Sequence, residues 1–165
     1  MIINIIIHIF AFTGLLIGFL IAHYSWEELK AGEKYFKVLQ QVLLILIAFI
    51  LFLLPTKVFV IDIIQFIAGI FIGRFVKLKY FYLGLASVTA ILAGVIVLIA
   101  SLIFLHGLPD GTMNLYRHRR KMLKKQALLN FFLYLLPVAI LFVPYEIHIN
   151  ALVAGLILSQ ITCYT

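Results

Sequence analysis

The sequence predicts an all-α integral membrane protein with six transmembrane helices arranged as two three-helix halves. Of its 165 residues, 65% are apolar and only 12% are charged, whereas soluble domains carry about 25% charged residues. The apolar residues also form six runs divided by short polar segments. Six helical spans of about 20 residues occupy roughly 120 residues and leave no room for a separate soluble domain. Helices are expected because a lipid-exposed backbone must satisfy its own hydrogen bonds.

The six predicted spans each end at a recognisable signal. The first lacks a basic segment and a cleavage site and is too long for a signal peptide. The second and fifth end at Pro55 and Pro144, and the third ends in basic residues. The fourth ends at the segment 106–111, whose two glycines and one proline are typical of a turn. The predicted spans are residues 2–24, 38–54, 58–76, 80–105, 127–143 and 147–162.

Small residues spaced four apart mark the spans that pack closely, because helices in lipid associate mainly through close backbone approach. Spans one, three, four and six carry such residues, whereas spans two and five are rich in Leu, Ile and Phe. We therefore expect spans two and five to lie outside, against lipid, and the other four to form the core. The small residues are Gly14, Gly18 and Ala22; Gly69 and Gly73; Ala86, Ala90 and Gly94; and Ala151, Gly155 and Ser159.

The order of these features repeats, which suggests an internal duplication. At an offset of 86, residues 33–75 align with residues 119–161, so the halves are residues 1–79 and 80–165. Because three is odd, successive three-helix halves would have opposite orientations, as in many transporters with inverted repeats. Six lysines and arginines follow spans one, three and five, and seven follow spans two and four. The positive-inside rule thus gives little guidance on membrane orientation. The densest cluster of basic residues, 117–125, favours the cytoplasm for that loop and therefore for both termini.

Polar residues at equivalent positions of the halves suggest a transport path. Asp62 aligns with His148 at this offset, Gln65 lies one turn after Asp62, and Asn150 lies near His148. A carboxylate and an imidazole at pseudo-symmetric positions suit proton movement, so the sequence favours transport or permeation of an ion or small solute. The alternative is an interfacial aspartate that the helix dipole stabilises.

Two further His–carboxylate pairs have a four-residue spacing that suits a metal ion or a proton relay. They are His23 with Glu27 and His106 with Asp110. Because the second pair falls in the predicted turn, we do not expect it to share one helical face. The alternative is that all four are interfacial polar residues at helix ends.

The first span also carries a polar thread. Asn4, His8 and Thr13 lie among apolar residues there. They are expected either to hydrogen-bond across the helix core or to line an aqueous path.

The net charge of +7 is concentrated in short gaps between apolar runs, which indicates anionic lipid headgroups rather than nucleic acid as the partner. A second hypothesis is a membrane enzyme that acts on a lipid phosphate through this basic segment, His106 and Asp110. It would require a pocket at headgroup depth. The basic residues are Arg117, Arg119, Arg120, Lys121, Lys124 and Lys125.

A third hypothesis is a non-catalytic membrane subunit or scaffold, with a homodimer or a partner membrane protein against its small-residue faces. The common hydrolase, metalloprotease, nucleotide-binding and potassium-filter motifs do not occur in the sequence. The sequence predicts no cofactor, leaves open whether a metal binds, and favours a non-enzymatic multi-pass protein. In a prokaryote its location would be the cell membrane.

Overall fold

The computed structural model describes residues 2–25, 29–54, 59–117, 120–138 and 149–163. Within these ranges the chain is helical with short connections, which confirms the all-α prediction. Three segments are long and apolar enough to cross a membrane: Ile2–Tyr24, Ala31–Leu53 and Ile96–Leu115. The α-helices are α1 (Ile2–Tyr24), α2 (Leu29–Leu53), α3 (Phe59–Phe75), α4 (Lys79–Leu92), α5 (Ile96–Arg117), α6 (Arg120–Leu135) and α7 (Asn150–Ser159), and a 3-10 helix (Gln160–Cys163) extends α7.

The prediction of a single fourth span over residues 80–105 is wrong, because α4 and α5 are separate helices. The chain turns at Gly94, whose φ of +76° is readily accessible only to glycine. The glycine at this position therefore allows the chain to change direction. A Cβ added there would have no neighbour within 4 Å.

The predicted turn at residues 106–111 is also wrong, because these residues lie inside α5. Proline has no N–H to donate to the Leu105 carbonyl, and membrane helices tolerate such a loss. Three residues after Pro109, Thr112 donates its hydroxyl to the Leu108 carbonyl of its own helix at 2.7 Å. The same hydroxyl lies 3.1 Å from the Gly18 carbonyl of α1.

Glycines bring the backbones of α1 and α5 into direct contact. A Cβ placed on Gly14 would collide with the backbone of Phe104, and one on Gly18 would collide with the Leu108 carbonyl. Gly107 and Gly111 approach α1 in the same way. Because the contacts advance along both helices together, α1 and α5 run parallel.

A second glycine-mediated contact joins α3 to α7. Gly69 approaches Gly155, and Gly73 approaches Ser159, so these helices also run parallel. Both pairs are equivalent positions at the offset of 86. Equivalent helices of an inverted repeat run in opposite directions, so the inverted relation predicted for the halves does not hold for this pair.

The remaining helices run antiparallel to α1 and α5. His8 and Phe12 of α1 meet Ser87 and Tyr80 of α4 in reverse order. Similarly, Leu29 at the start of α2 packs against Ala22 and Leu115, which lie near the ends of α1 and α5. One end of the bundle therefore contains the last residues of α1, α3, α5 and α7 and the first residues of α2, α4 and α6.

We call this end the basic end, because every lysine and arginine in the described ranges lies toward it. The sequence predicts nearly equal numbers of lysines and arginines in the loops on the two sides, and this prediction is wrong. The additional helix boundary at Gly94 moves every later loop to the opposite end of the bundle. These residues are Lys30, Lys34, Lys37, Arg74, Lys77, Lys79, Arg117, Arg120, Lys121, Lys124 and Lys125.

The prediction that the second span lies outside the core is wrong as well. Leu44, Ile47, Ala48 and Leu51 of α2 have no exposed surface. They join the hydrophobic cluster that α1, α4, α5 and α7 share. Large apolar side chains on the outward faces of α1, α2, α3 and α6 are exposed, as expected for helices that face lipid.

Candidate functional site: a buried polar chain

A largely buried ion pair joins the interior of α5 to the start of α4. Asp110 is 3% exposed and is paired with Lys79. Tyr80 donates its hydroxyl to the same carboxylate, Asn114 donates its amide at 3.0 Å, and the Gln40 amide lies at 3.4 Å. Because ionised groups within a membrane span are costly unless paired, such a cluster marks a candidate functional site.

His106 lies one helical turn before Asp110 and is completely buried. Since α5 is continuous, the two side chains share one face, and the expectation that they would not is wrong. Both lie inside α5 and are buried, not exposed at a helix end. Neither ring nitrogen of His106 makes a hydrogen bond of good geometry with the described residues, although the Gln40 backbone lies close enough to interact with the ring. A buried polar group of this kind requires an explanation, because nearly all such groups in folded proteins are hydrogen-bonded.

A small cavity of about 10 Å³ adjoins His106. Tyr80 and Tyr134 also line it, together with apolar residues that include Phe12 and Leu83. This volume is about what one water molecule needs, and a bound water requires two or more polar partners. The histidine and the two tyrosines supply side chains of that kind.

A second buried cluster adjoins this cavity through Tyr134. His8 Nδ1 is 2.7 Å from the Ser87 hydroxyl, and the His8 ring stacks on Tyr134 with centroids 4.3 Å apart. Tyr134 donates its hydroxyl to the His8 carbonyl at 3.1 Å. His8 Nε2 is buried without a partner among the described residues. Of the polar thread in α1, His8 thus bonds across the core, whereas Thr13 bonds to Phe10 within its own helix.

These groups follow one another through the bundle, and we call them the polar chain. It leads from Ser87 and His8 through Tyr134 and the cavity to His106, Tyr80, Asp110 and Lys79. Asp110 lies level with Gly18 of α1, which is ten residues and therefore about 15 Å from His8. The polar chain thus extends from near the start of α1 toward the basic end.

The residues predicted to line a transport path lie elsewhere. Asp62 is buried in the first turn of α3, and the buried Gln65 Oε1 has no partner among the described residues. Asn150, half-buried, begins α7, whereas His148 lies outside the described residues. The structure places the first three at the end of the α3–α7 pair opposite the basic end.

The other predicted site residues are distributed along the basic end. His23 is exposed near the end of α1 beside Tyr24, and Glu27 and Arg119 lie outside the described residues. The predicted headgroup-binding residues end α5 (Arg117) and occupy the first turns of α6 (Arg120, Lys121, Lys124 and Lys125). In the described part of the chain, no three His, Cys, Asp or Glu side chains are grouped so that they could hold a metal ion.

Sequence reasoning missed most members of the polar chain. A signal was present in α5, where His106, Asp110 and Asn114 recur at four-residue intervals and therefore share a face. The turn-forming residues between them concealed it. Lys79, Ser87 and Tyr134 carry no such pattern, since only the tertiary packing brings them together. Comparison with known protein families, with curated proteins and with solved structures finds no match to this chain.

Proposed function

We propose that this protein moves protons across a membrane along the polar chain. The observation that carries the proposal is a pair of buried histidines near a cavity the size of one water: His106 lines the cavity, and His8 stacks on Tyr134, which also lines it. Together they present three ring nitrogens that make no hydrogen bond of good geometry with the described residues. Histidines and carboxylates in series are the usual elements of proton relays within membranes.

The size of the cavity favours a proton over a larger solute. At about 10 Å³ it holds about one water molecule, so a hydrated ion or an organic solute does not fit. A proton needs only hydrogen-bonded groups that exchange it. Asp110, Lys79 and Tyr80 would connect this relay to the basic end.

We infer further that all seven helices cross or enter the membrane and that the basic end faces the cytoplasm. The parallel contacts of α1 with α5 and of α3 with α7 favour two halves in the same orientation, α1–α3 and α5–α7, joined by α4. An excess of lysine and arginine marks the cytoplasmic face. The start of α1 and the end of α7 then lie on opposite faces.

Cysteine labelling tests this orientation directly. Cys163 is the single cysteine of the chain and ends the 3-10 helix at the basic end. In oriented vesicles, a membrane-impermeant maleimide is expected to label Cys163 only from the cytoplasmic side. An Ile2→Cys variant in a Cys163→Ser background should be labelled only from the other side. Labelling of both positions from the same face would contradict the seven-helix arrangement.

A liposome assay tests proton movement. The purified protein is reconstituted with a pH-sensitive dye inside the vesicles, and a potassium gradient with valinomycin drives protons. We expect a dye response that His106→Leu abolishes. Because the His106 ring nitrogens make no hydrogen bond of good geometry with the described residues, an apolar residue of similar size should leave folding intact. An unchanged melting temperature would verify that.

His23→Leu is the matched control, because His23 is an exposed histidine outside the polar chain. We expect its proton flux to equal that of the unaltered protein. Equal flux for His106→Leu and the control, or no flux above that of empty liposomes, would overturn the proposal.

A second candidate path runs along α3 and α7, as the sequence suggests. Its support is the buried Asp62 and the Gln65 carbonyl oxygen, which has no hydrogen-bond partner among the described residues. Asp62→Asn in the same liposome assay separates the two paths. Loss of flux in Asp62→Asn with normal flux in His106→Leu would favour the second path, and the opposite pattern would favour the polar chain.

A further inference from the structure

A larger cavity opens at the basic end, beside Asp110. Its volume is about 170 Å³, and Lys77, Lys79, Tyr80, Asn114 and Asn130 supply its polar lining. Because a water molecule takes about 30 Å³ of liquid, this cavity holds a group several times that size. It lies between the α3–α4 connection, the last turns of α5 and the middle of α6.

We propose that this cavity is a binding site for a phosphate group, carried by an anionic lipid headgroup or present as the free ion. Lys77, Lys79, Asn114 and Asn130 supply N–H donors to it, which match the acceptor oxygens of phosphate. The Tyr80 hydroxyl donates to Asp110 instead. The cavity shares Lys79 and Tyr80 with the polar chain, whereas Lys77 and Asn130 belong to the cavity alone.

The charge of the cavity supports an anionic ligand. Lys79 is paired with Asp110, and Tyr80 and Asn114 also donate to that carboxylate. The positive charge of Lys77, which is exposed, is therefore not offset by this carboxylate. The two lysines and Asp110 together give the cavity a net charge of +1, and Asn130 adds an amide from α6.

The depth of the cavity suits a headgroup. Asn114 lies three residues before Arg117, the end of α5, which corresponds to about 4.5 Å along the helix axis. Anionic headgroups concentrate at such a basic membrane face. The cavity thus lies near the basic end, where the proposed orientation would place lipid headgroups.

Binding measurements in detergent test this site. The purified full-length protein is titrated separately with dioctanoyl phosphatidic acid, dioctanoyl phosphatidylcholine and inorganic phosphate, and binding is followed by native mass spectrometry or calorimetry. We expect Lys77→Gln to weaken phosphatidic acid binding about tenfold, since it removes a charge-assisted hydrogen bond. Asn130→Ala should also weaken binding without a change in charge.

Lys34→Gln is the matched control, because Lys34 is an exposed lysine on α2 at the same end and is not part of the cavity lining. It should change the affinity less than twofold. Inorganic phosphate that binds with the same dependence on Lys77 would identify the free ion as the ligand, and binding of phosphatidic acid alone would identify the headgroup. Equal losses in Lys77→Gln and Lys34→Gln, equally tight phosphatidylcholine binding, or no binding would overturn the proposal.

Discussion

Replacement of Asp110 by leucine is expected to lower the free energy of unfolding by about 3–5 kcal/mol. The side chain of Asp110 is 4% exposed and that of Lys79 is 20% exposed. Loss of the carboxylate would leave the ammonium group of Lys79 without its counter-ion in a largely buried position. The hydroxyl of Tyr80 and the amide of Asn114 would also lose their acceptor, so the cost exceeds that of one hydrogen bond.

A double-mutant cycle measures how much of this cost belongs to the pair. In the double variant Lys79→Met/Asp110→Leu no unpaired charge remains, so its destabilisation should be well below the sum of the two single variants. Reversible unfolding in mixed detergent micelles provides the free energies. Strictly additive effects would show that the two side chains do not stabilise each other.

The pair of Glu33 and Lys37 on α2 supplies the matched control. Its charged atoms are 3.2 Å apart, but its side chains are 33% and 36% exposed. Exposed ion pairs contribute about 0–1 kcal/mol. Glu33→Gln should therefore change the stability by less than about 1 kcal/mol, which separates the effect of burial from that of charge.

The helical architecture could be predicted in part because hydrophobicity alone determines which segments suit a membrane. The first span coincides with α1, and the third differs from α3 by one residue at each end. The second span was predicted too short, because α2 begins at Leu29 and includes charged residues. A polar helical extension at a membrane surface has no apolar run that would reveal it.

The segment from Gly94 to Gly111 shows why the rest of the fold could not be predicted. Gly94 ends a helix, whereas Gly107 and Gly111 lie within one and contact α1. Both roles use the same property, the absence of a side chain, and only the neighbouring helix distinguishes them. The misassigned turn changed the number of helices, and with it the predicted direction of the halves and the predicted distribution of charge.

The candidate site was also only partly predictable from the sequence. His106 and Asp110 were recognisable as a pair because they are close in sequence. Their partners are distant: Lys79 is 31 residues from Asp110, and Ser87 is 79 residues from His8. Contacts of this kind depend on which helices pack together, and no periodic pattern in the sequence reveals which helices are neighbours.

The close approach of α1 and α5, on which the polar chain depends, leads to the second large effect. Gly18→Ala is expected to destabilise the protein by about 3 kcal/mol, at the upper end of the cost of overpacking. The new Cβ would collide with the Leu108 carbonyl and would lie 3.0 Å from the Gly107 carbonyl and 3.1 Å from the Gly111 Cα. All three are backbone atoms, which cannot rotate away as a side chain does.

Gly32→Ala in α2 is the matched control, because a Cβ there would meet only the Phe36 ring, at 3.1 Å, and that ring can move. Alanine also favours the helix over glycine by about 1 kcal/mol, so Gly32→Ala should be neutral or stabilising. If Gly18→Ala were equally harmless, α1 and α5 would not be in backbone contact. If α1 and α5 separate as expected, His8 moves away from His106, so any Gly18→Ala protein that folds should also lose proton flux in the liposome assay.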